Sequence, residues 1–446
     1  MSMHRRSVLL LSGALTAASI AGCLASDTET SNDDSSSSDQ QSSNDQPSPT
    51  EVSVDDDRLQ ELTTGNASFA LDLYKQLSAD HDNLFLSPFS ISVALAMTFA
   101  GAQGETREQM QQVLAFTLGD DVHPAFADLQ AELKTRESTI GRDPSTDSDD
   151  EEEIDAFQLA VANALWGQEG YGFADDYLSL IEENYGGGLR EVDYAHDHDG
   201  ARDQINDWVA EHTNDRIDPL LPETALSPQS VLVLTNAIYF LASWLHEFDP
   251  SDTTDDAFIG LDEEEATVPM MQQNLRTNYA KLANGEAIEL PYVGQEVSMV
   301  LIKPDDGYFE QFEEELHADR LLEIFDELGD ASGTLVLPKF EYSTDIQLRD
   351  TMQSMGMEKA FAGGFGGMVD GDGGGLAINE IFHEAFISVD EEGTEAAAAT
   401  AVEMVISAPP DWGEVRFDRP FIFCIRDRPT DAILFLGRVV ELPETS

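Results

Sequence analysis

The 446-residue chain has only two cysteines, Cys23 and Cys424, too few for a disulfide framework and without the spacing of a redox or metal motif. Basic residues are scarce: 23 stand against 87 acidic ones, giving a formal charge of −64 and a pI near 4.1. Such a surface repels phosphate backbones and anionic headgroups, which excludes nucleic acid and an anionic membrane surface as partners. The N-terminal apolar run, Val8 to Ala21, is too short to be a comfortable membrane span. There is no G-x-S-x-G elbow, no C-x-x-C, no phosphate-binding glycine loop before a helix and no H-E-x-x-H, and the nine histidines are scattered without catalytic spacing. These absences argue against an enzyme, and neither a cofactor nor a metal is expected.

The N-terminus is a targeting segment and is set aside from fold reasoning. Arg5 and Arg6 precede the apolar run, which ends in I-A-G-C at Cys23. A twin arginine signals export in a folded state. The small residues before Cys23 resemble a lipobox, so residues 1–23 are expected to be a signal peptide whose cleavage leaves a lipid-modified Cys23. An uncleaved anchor is the alternative, and either form tethers the protein outside the cell, with membrane contact only through the anchor. Residues 24–58 are Ser, Asp, Gln, Thr and Asn with almost no large apolar side chains, and are expected to be a disordered tether. The acids are spread along the whole chain. That pattern suits adaptation to high salt, where a short Debye length screens self-repulsion, and it leads to the expectation of a surface lipoprotein of a halophilic archaeon. With Cys23 lipidated, Cys424 has no partner in the chain and reads as a small buried apolar residue of F-I-F-C-I.

Length alone favours two domains. The globular part is expected to start near Leu59. Ser87-Pro88 reads as a helix start, with a capping side chain followed by proline at the first helical position. The residues after it, Ile91, Val93, Ala94, Leu95, Met97 and Phe99, leave little polar surface, so this helix should be buried and closed by Gly101 and Gly104. Thr106 and Gln109 have capping-box spacing for the next helix. Residues 141–155 form an acidic insertion expected to be a solvated loop. Phe157 to Trp166 reads as a central strand. In A-H-D-H-D-G, Ala195 to Gly200, His196 and His198 superficially offer metal ligands, but the run leads straight into a helical pattern over Ile205 to Ile217 and a capped loop is the expectation. Val231 to Phe240 is apolar on both faces, as for a strand covered on both sides, and Asn236 in its middle must be hydrogen-bonded. Further strands are expected at S-M-V-L-I-K-P after Leu290-Pro291-Tyr292, at Leu335 to Phe340, and at Ile381 to Asp390, where His383 shares a face with Ile381, Ala385, Ile387 and Val389. The glycine-rich Ala362 to Gly375 lacks calcium-loop spacing and reads as a connection.

The stretch V-D-E-E-G-T-E-A-A-A-A-T-A-V-E-M-V-I, Val389 to Ile406, makes sense with a period of two. Thr394, Ala396, Ala398, Thr400, Val402, Met404 and Ile406 would share one strand face, and nothing on it is large or charged before Met404. Gly393 supplies a permissive start. On its own the segment also fits an alanine-rich linker.

The run D-E-E-G-T-E-A-A-A-A-T-A-V closely resembles the reactive-loop hinge of the serpins. N-L-F-L-S-P-F-S-I-S-V-A-L-A-M, Asn83 to Met97, resembles their buried helix, and Phe417 to Phe423 with Phe435 to Val440 resembles their C-terminal strands. The resemblance covers roughly Leu59 to Val440. It implies an α+β serpin fold in one domain, 59–446, with a large, mostly antiparallel central sheet, further sheets, about eight or nine helices, and an exposed reactive-centre loop at 391–413. It implies a hinge at Gly393, Thr394, Glu395, Ala396, Ala397, Ala398, Ala399 and Thr400. Trp244, Lys339 and Glu391 match the positions where the loop enters the sheet, with Lys339 and Glu391 as an ion pair, and Ser87, Ser90, Asn236 and His383 match a polar cluster under the parting strands.

For function, the resemblance implies a monomeric suicide inhibitor of serine-type endopeptidases that inserts its cleaved loop into the central sheet. Counting from Glu391 puts the reactive bond at Ser407–Ala408, to within several residues. No Lys or Arg occurs between Thr394 and Val415, so the expected target is subtilisin-, elastase- or chymotrypsin-like rather than trypsin-like, whose pocket needs a cation. The competing reading is a non-inhibitory surface lipoprotein on the same scaffold, with a binding or storage role.

Overall fold

The computed structural model describes residues 54–138, 157–371, 375–394 and 409–444. The chain opens with α1 (Val54–Ser78), β1 (Leu84–Leu86), α2 (Pro88–Phe99), α3 (Gly104–Val113) and α4 (Val122–Ser138). Next come β2 (Phe157–Gln168), α5 (Asp175–Tyr185), β3 (Leu189–Val192), α6 (Tyr194–His212) and β4 (Leu232–Ser243). A run of strands follows: β5 (Thr254–Ile259), β6 (Glu265–Leu282), β7 (Gly285–Pro291) and β8 (Val297–Pro304). After α7 (Phe309–Glu315) and α8 (Ala318–Glu327) lie β9 (Gly329–Pro338), β10 (Phe340–Gln347), α9 (Arg349–Ser354), β11 (Glu380–Val389) and β12 (Gly393–Thr394). The chain closes with β13 (Asp411–Arg416), β14 (Phe421–Asp427) and β15 (Ala432–Val439).

Two sheets carry the architecture. One has the order β10-β11-β12-β4-β2-β3; the other has the order β1-β15-β14-β8-β7-β6-β9-β13, with β5 alongside β6. The first is mixed: its neighbours are antiparallel except where β2 meets β3 and where β4 meets β11 directly. With nine helices among the described residues and two sheets, this is an α+β architecture of the kind expected.

The strand β4 is apolar on both faces because both are covered. Behind it lies α2, buried at every position. Ser87 starts that helix: its Oγ accepts the Ser90 N–H at 3.2 Å, and Pro88 fills the first helical position, where no N–H is needed. In front, Trp166, Val233, Ala237 and Phe382 pack against Tyr194, Ala201, Ile205 and Val209 of α6 in a separate small core. The Trp166 indole N–H is satisfied by Thr235 Oγ1 at 2.9 Å.

Several local expectations are corrected. Helix α1 begins at Val54, inside the stretch assigned to the tether; Asp57 lies near its positive N-terminal end, and Arg58 is ion-paired with Asp128 of α4. Gly104 opens α3 with φ +53° instead of closing α2. Thr106 and Gln109 do not form a capping box: Thr106 donates to the Gly363 carbonyl at 2.9 Å, holding the glycine-rich connection, and Gln109 Oε1 accepts the Lys359 N–H at 2.8 Å just ahead of it. The A-H-D-H-D-G stretch is the first, kinked turn of α6, capped by Asp193, which accepts the His196 N–H at 3.1 Å. The helix therefore starts before Ile205 and ends at His212, ahead of Asn214 and Asp215, which have positive φ. Among the described residues no group of three or more His, Cys, Asp or Glu is arranged to hold a metal. Cys424 is fully buried in β14, where burial pushes its thiol up to about 12. The signal segment with Cys23 and the acidic insertion 141–155 lie outside the described residues.

Candidate functional site

After Val389 the chain reverses in a tight turn. Asp390 Oδ1 accepts the N–H groups of Glu392 at 2.9 Å and Gly393 at 3.2 Å, an arrangement Asp favours through its short side chain. Gly393 then passes so close to β4 that an added Cβ would stand 2.2 Å from the Ala242 carbonyl oxygen, which is why glycine is required here. Gly393 and Thr394 form β12, paired antiparallel on both sides: Thr394 lies opposite Val389 of β11 and opposite Ala242 of β4.

Trp244, Lys339 and Glu391 surround this turn. The Trp244 indole N–H donates to the Asp390 carbonyl at 3.0 Å, and its ring stacks on Tyr292 at 4.6 Å. The hydroxyls of Tyr292 and Thr394 share a buried hydrogen bond of 2.8 Å. Lys339 Nζ and Glu391 Oε2 are 2.5 Å apart, and Thr253 donates to Glu391 Oε1 at 2.7 Å. Burial raises the Glu391 carboxyl, but the Lys339 and Thr253 hydrogen bonds outweigh it, and the group titrates below its ordinary range.

Below β12 the strands β4 and β11 close directly on each other, in parallel, from Val233–Glu380 to Tyr239–Phe386. His383 is opposite Asn236 in this seam. Both are fully buried, as are Ser87 and Ser90 at the start of α2 beneath them. The Ser87 backbone N–H donates to His383 Nε2 at 3.3 Å, so Nδ1 carries the ring hydrogen and donates to Asn236 Oδ1 at 2.5 Å. Asn236 Nδ2 donates to Ser90 Oγ at 2.8 Å and to Asn163 Oδ1 at 2.6 Å. Ser90 Oγ donates to Asn163 Oδ1 at 2.8 Å, and Ser87 Oγ to the Leu434 carbonyl at 2.7 Å. Burial lowers the His383 ring to about 3, leaving it neutral.

The structure thus places the four polar residues singled out from the sequence in one hydrogen-bonded chain, and brings Trp244, Lys339 and Glu391 together around the turn. Glu395, Ala396, Ala397, Ala398, Ala399 and Thr400 of the hinge, and the reactive bond Ser407–Ala408, lie outside the described residues. Three participants were missed. Asn163 stands in an apolar strand just as Asn236 does, and the same argument would have found it. Thr253, in a polar turn, and Tyr292, after Leu290-Pro291, carry no such signal.

The family model described as Serpin (serine protease inhibitor) matches residues 64–442. An uncharacterised serpin-like protein of Thermococcus kodakarensis is 37% identical over 443 residues, covering 98% of this chain and 99% of that protein. The leukocyte elastase inhibitor of Xenopus laevis is 34% identical, covering 85% and 99%. The native-state crystal structure of tengpin, a thermophilic serpin, matches with a TM-score of 0.73 at 28% identity, over 85% of this chain and 94% of that one.

Proposed function

The chain belongs to the serpin family, many of whose members inhibit serine proteases and are not enzymes, and from that premise we propose that it is a suicide trap for an extracellular serine protease. The observation that supports this best is β12. Two residues past the turn are already a strand between β11 and β4, in the frame those strands share below. Continued in that frame, Glu395 to Glu403 would run opposite Leu241 to Val233 on one side and Ser388 to Glu380 on the other. Ala396, Ala398, Thr400 and Val402 would face the rear core, with Thr400 at the level of Asn236 and His383.

Insertion would exchange the parallel β4–β11 ladder for two antiparallel ones, which pair better per residue. About nine added residues at about 1 kcal/mol net per hydrogen bond give on the order of 10 kcal/mol to drive it. A charge or a proline on the rear face would cancel several of these, and the sequence to Val402 has neither. In the trap, the protease serine Oγ attacks the Ser407 carbonyl carbon, the Ala408 amine leaves with a proton, and an ester joins the two proteins. Insertion then drags and distorts the protease before water can hydrolyse that ester.

We read the target as subtilisin-, elastase- or chymotrypsin-like, from the small and apolar residues at Met404 to Ala408, and favour a subtilisin-like one. The twin arginine and Cys23 support a lipid-anchored location outside the cell, the acidity a high-salt habitat, and the protein is read as a monomer. The test is incubation with subtilisin in molar KCl followed by a denaturing gel. A covalent complex that disappears in Thr394→Arg is expected. Simple cleavage, without a complex or a rise in melting temperature, would replace the trap with the non-inhibitory binding or storage lipoprotein.

A further inference from the structure

On the front of the first sheet, β10 and β11 bring two carboxylates face to face. Their antiparallel register sets Asp345 of β10 directly opposite Glu384 of β11. β10 is the outermost strand of that sheet, and among the described residues β11 is its only strand neighbour there. Side chains alternate along both strands. Phe340, Ile346, Ile381, Ala385 and Ile387 join the rear core, whereas Phe382 packs in front beneath α6, so Asp345 and Glu384 also face the front. Asp345 is exposed and Glu384 half-buried. Among the described residues neither carboxylate takes part in a hydrogen bond or an ion pair.

The surroundings leave the two acids to each other. On its other side Glu384 lies beside Ala237 of β4, which carries no charge. Phe382 and Phe386 flank it on its own strand, and Ser343 and Gln347 flank Asp345. The α6 side chains that pack with Phe382, namely Tyr194, Ala201, Ile205 and Val209, bring no charge either. Glu341 and Glu380 face the same way but are engaged elsewhere: Glu341 Oε2 accepts the Ser388 hydroxyl at 3.1 Å, and Glu380 Oε1 accepts the N–H groups of Arg349 at 3.0 Å and Ile381 at 2.9 Å. Arg216 lies 5.8 Å over the ring of Tyr239, the β4 neighbour of Phe386. Carboxylates directly opposite on adjacent strands have Cβ atoms about 4.5–5.5 Å apart, and when both are ionised they destabilise the ladder. Burial, and after it the Asp345 charge, push the Glu384 carboxyl from 4.5 up to about 7, and burial raises Asp345 as well.

We propose that Asp345 and Glu384 form a pH-sensitive latch that holds the edge strand β10 on β11, closed while the pair carries a proton and loosened when both carboxylates are ionised. With Glu384 protonated, its O–H can donate to the Asp345 carboxylate across the ladder. Without that proton, two unpaired charges stand opposite each other, one of them half-buried. The folded chain keeps a proton that the unfolded chain has lost, so this contribution to stability is present below the ordinary carboxylate range and declines as the pH rises through about 7. β10 responds first, because among the described residues no strand holds its outer side. The latch does not depend on whether the chain after β12 enters the sheet.

The test uses the full chain in molar KCl between pH 5 and 9. Carbon-13 labelling of the glutamate carboxyls follows the titration by NMR, with Glu384→Gln identifying the resonance. A midpoint near 7 is expected, and one in the ordinary carboxylate range would overturn the proposal. Hydrogen exchange of the β10 amides, read by mass spectrometry and corrected for the intrinsic rise with pH, follows the latch itself. In the wild type, protection is expected to fall several-fold between pH 6 and pH 8. Glu384→Gln is expected to abolish that step. Asp345→Asn removes the repulsion and leaves the burial, so it is expected to shrink the step and move the Glu384 midpoint down. If wild-type protection is unchanged across this range, or if Asp345→Asn alters neither the step nor the midpoint, the two acids do not act as a pair and the proposal fails.

Discussion

His383 offers the most direct test of the buried cluster. Its ring is fully buried and neutral, held at about 3 by burial against an ordinary 6.5. Above pH 6.5 neither the folded nor the unfolded chain binds a proton there, and stability is indifferent to this group. As the pH falls below 6.5, the unfolded chain takes up a proton that the folded chain refuses, so stability declines until about pH 3. At about 1.36 kcal/mol per pH unit, the loss from this one residue between pH 7.5 and pH 5 is about 2 kcal/mol. Urea midpoints at pH 7.5, 6 and 5 in molar KCl measure the total slope, and His383→Gln removes this share of it. At pH 7.5 the variant should be weaker by about 1–3 kcal/mol, because the Ser87 N–H loses its acceptor. It should also lose about 2 kcal/mol less than the wild type across the range, by the same proton arithmetic. All other titrating groups are common to both proteins and cancel. Equal slopes would refute a neutral buried imidazole at this position.

Glu289 titrates in the opposite sense. Burial raises its carboxyl, but Arg426, Asn278 and Arg428 more than compensate and it lies below its ordinary range, so its stabilisation is present above the unfolded value and lost as the pH falls through the folded one. Glu289→Gln should cost about 3–5 kcal/mol at pH 7, measured by chemical denaturation, with the gap to wild type narrowing in acid. Gly393→Ala puts a Cβ 2.2 Å from the Ala242 carbonyl oxygen; it should displace β12, seen as faster amide exchange at Thr394, and reduce covalent trapping. Thr400→Val should leave native stability unchanged but lower the melting temperature of the cleaved chain, because the parted His383 and Asn236 would find no hydroxyl between them. Dialysis from molar to millimolar KCl should abolish the far-UV circular dichroism signal; full retention would count against adaptation to high salt.

The sequence made legible whatever depended on short-range chemistry. Ser87 and Pro88 announce α2, and the two-sided apolar run announces a covered β4. Asn236 and His383 could be flagged as polar groups needing partners because each stands in an apolar strand, and Asn163 obeys the same rule. Contacts made across long sequence distances stayed hidden. Thr106 and Gln109 have capping-box spacing, yet they bond Gly363 and Lys359, which only the packed fold brings near. Val54 to Arg58 reads as tether because it is polar, yet it forms the first turn of α1, where Arg58 meets Asp128 on α4. The parallel closure of β4 on β11 has no local signature, and neither does the shared frame in which β12 starts between them.

That frame also divides the labour of the segment after the turn. On the proposed insertion, a strand continuing β12 would reach the last seam pair, Val233 with Glu380, at Glu403, and Met404 to Ala408 would lie past it. Residues through Glu403 would then answer to the sheet, and a single deletion among them would reverse which side chains face the core. Residues from Met404 onward would answer only to the protease that reads them. On that proposal recognition and mechanics would occupy adjacent but separate stretches of chain. The first could drift, or be redesigned toward another protease, while the second stayed fixed.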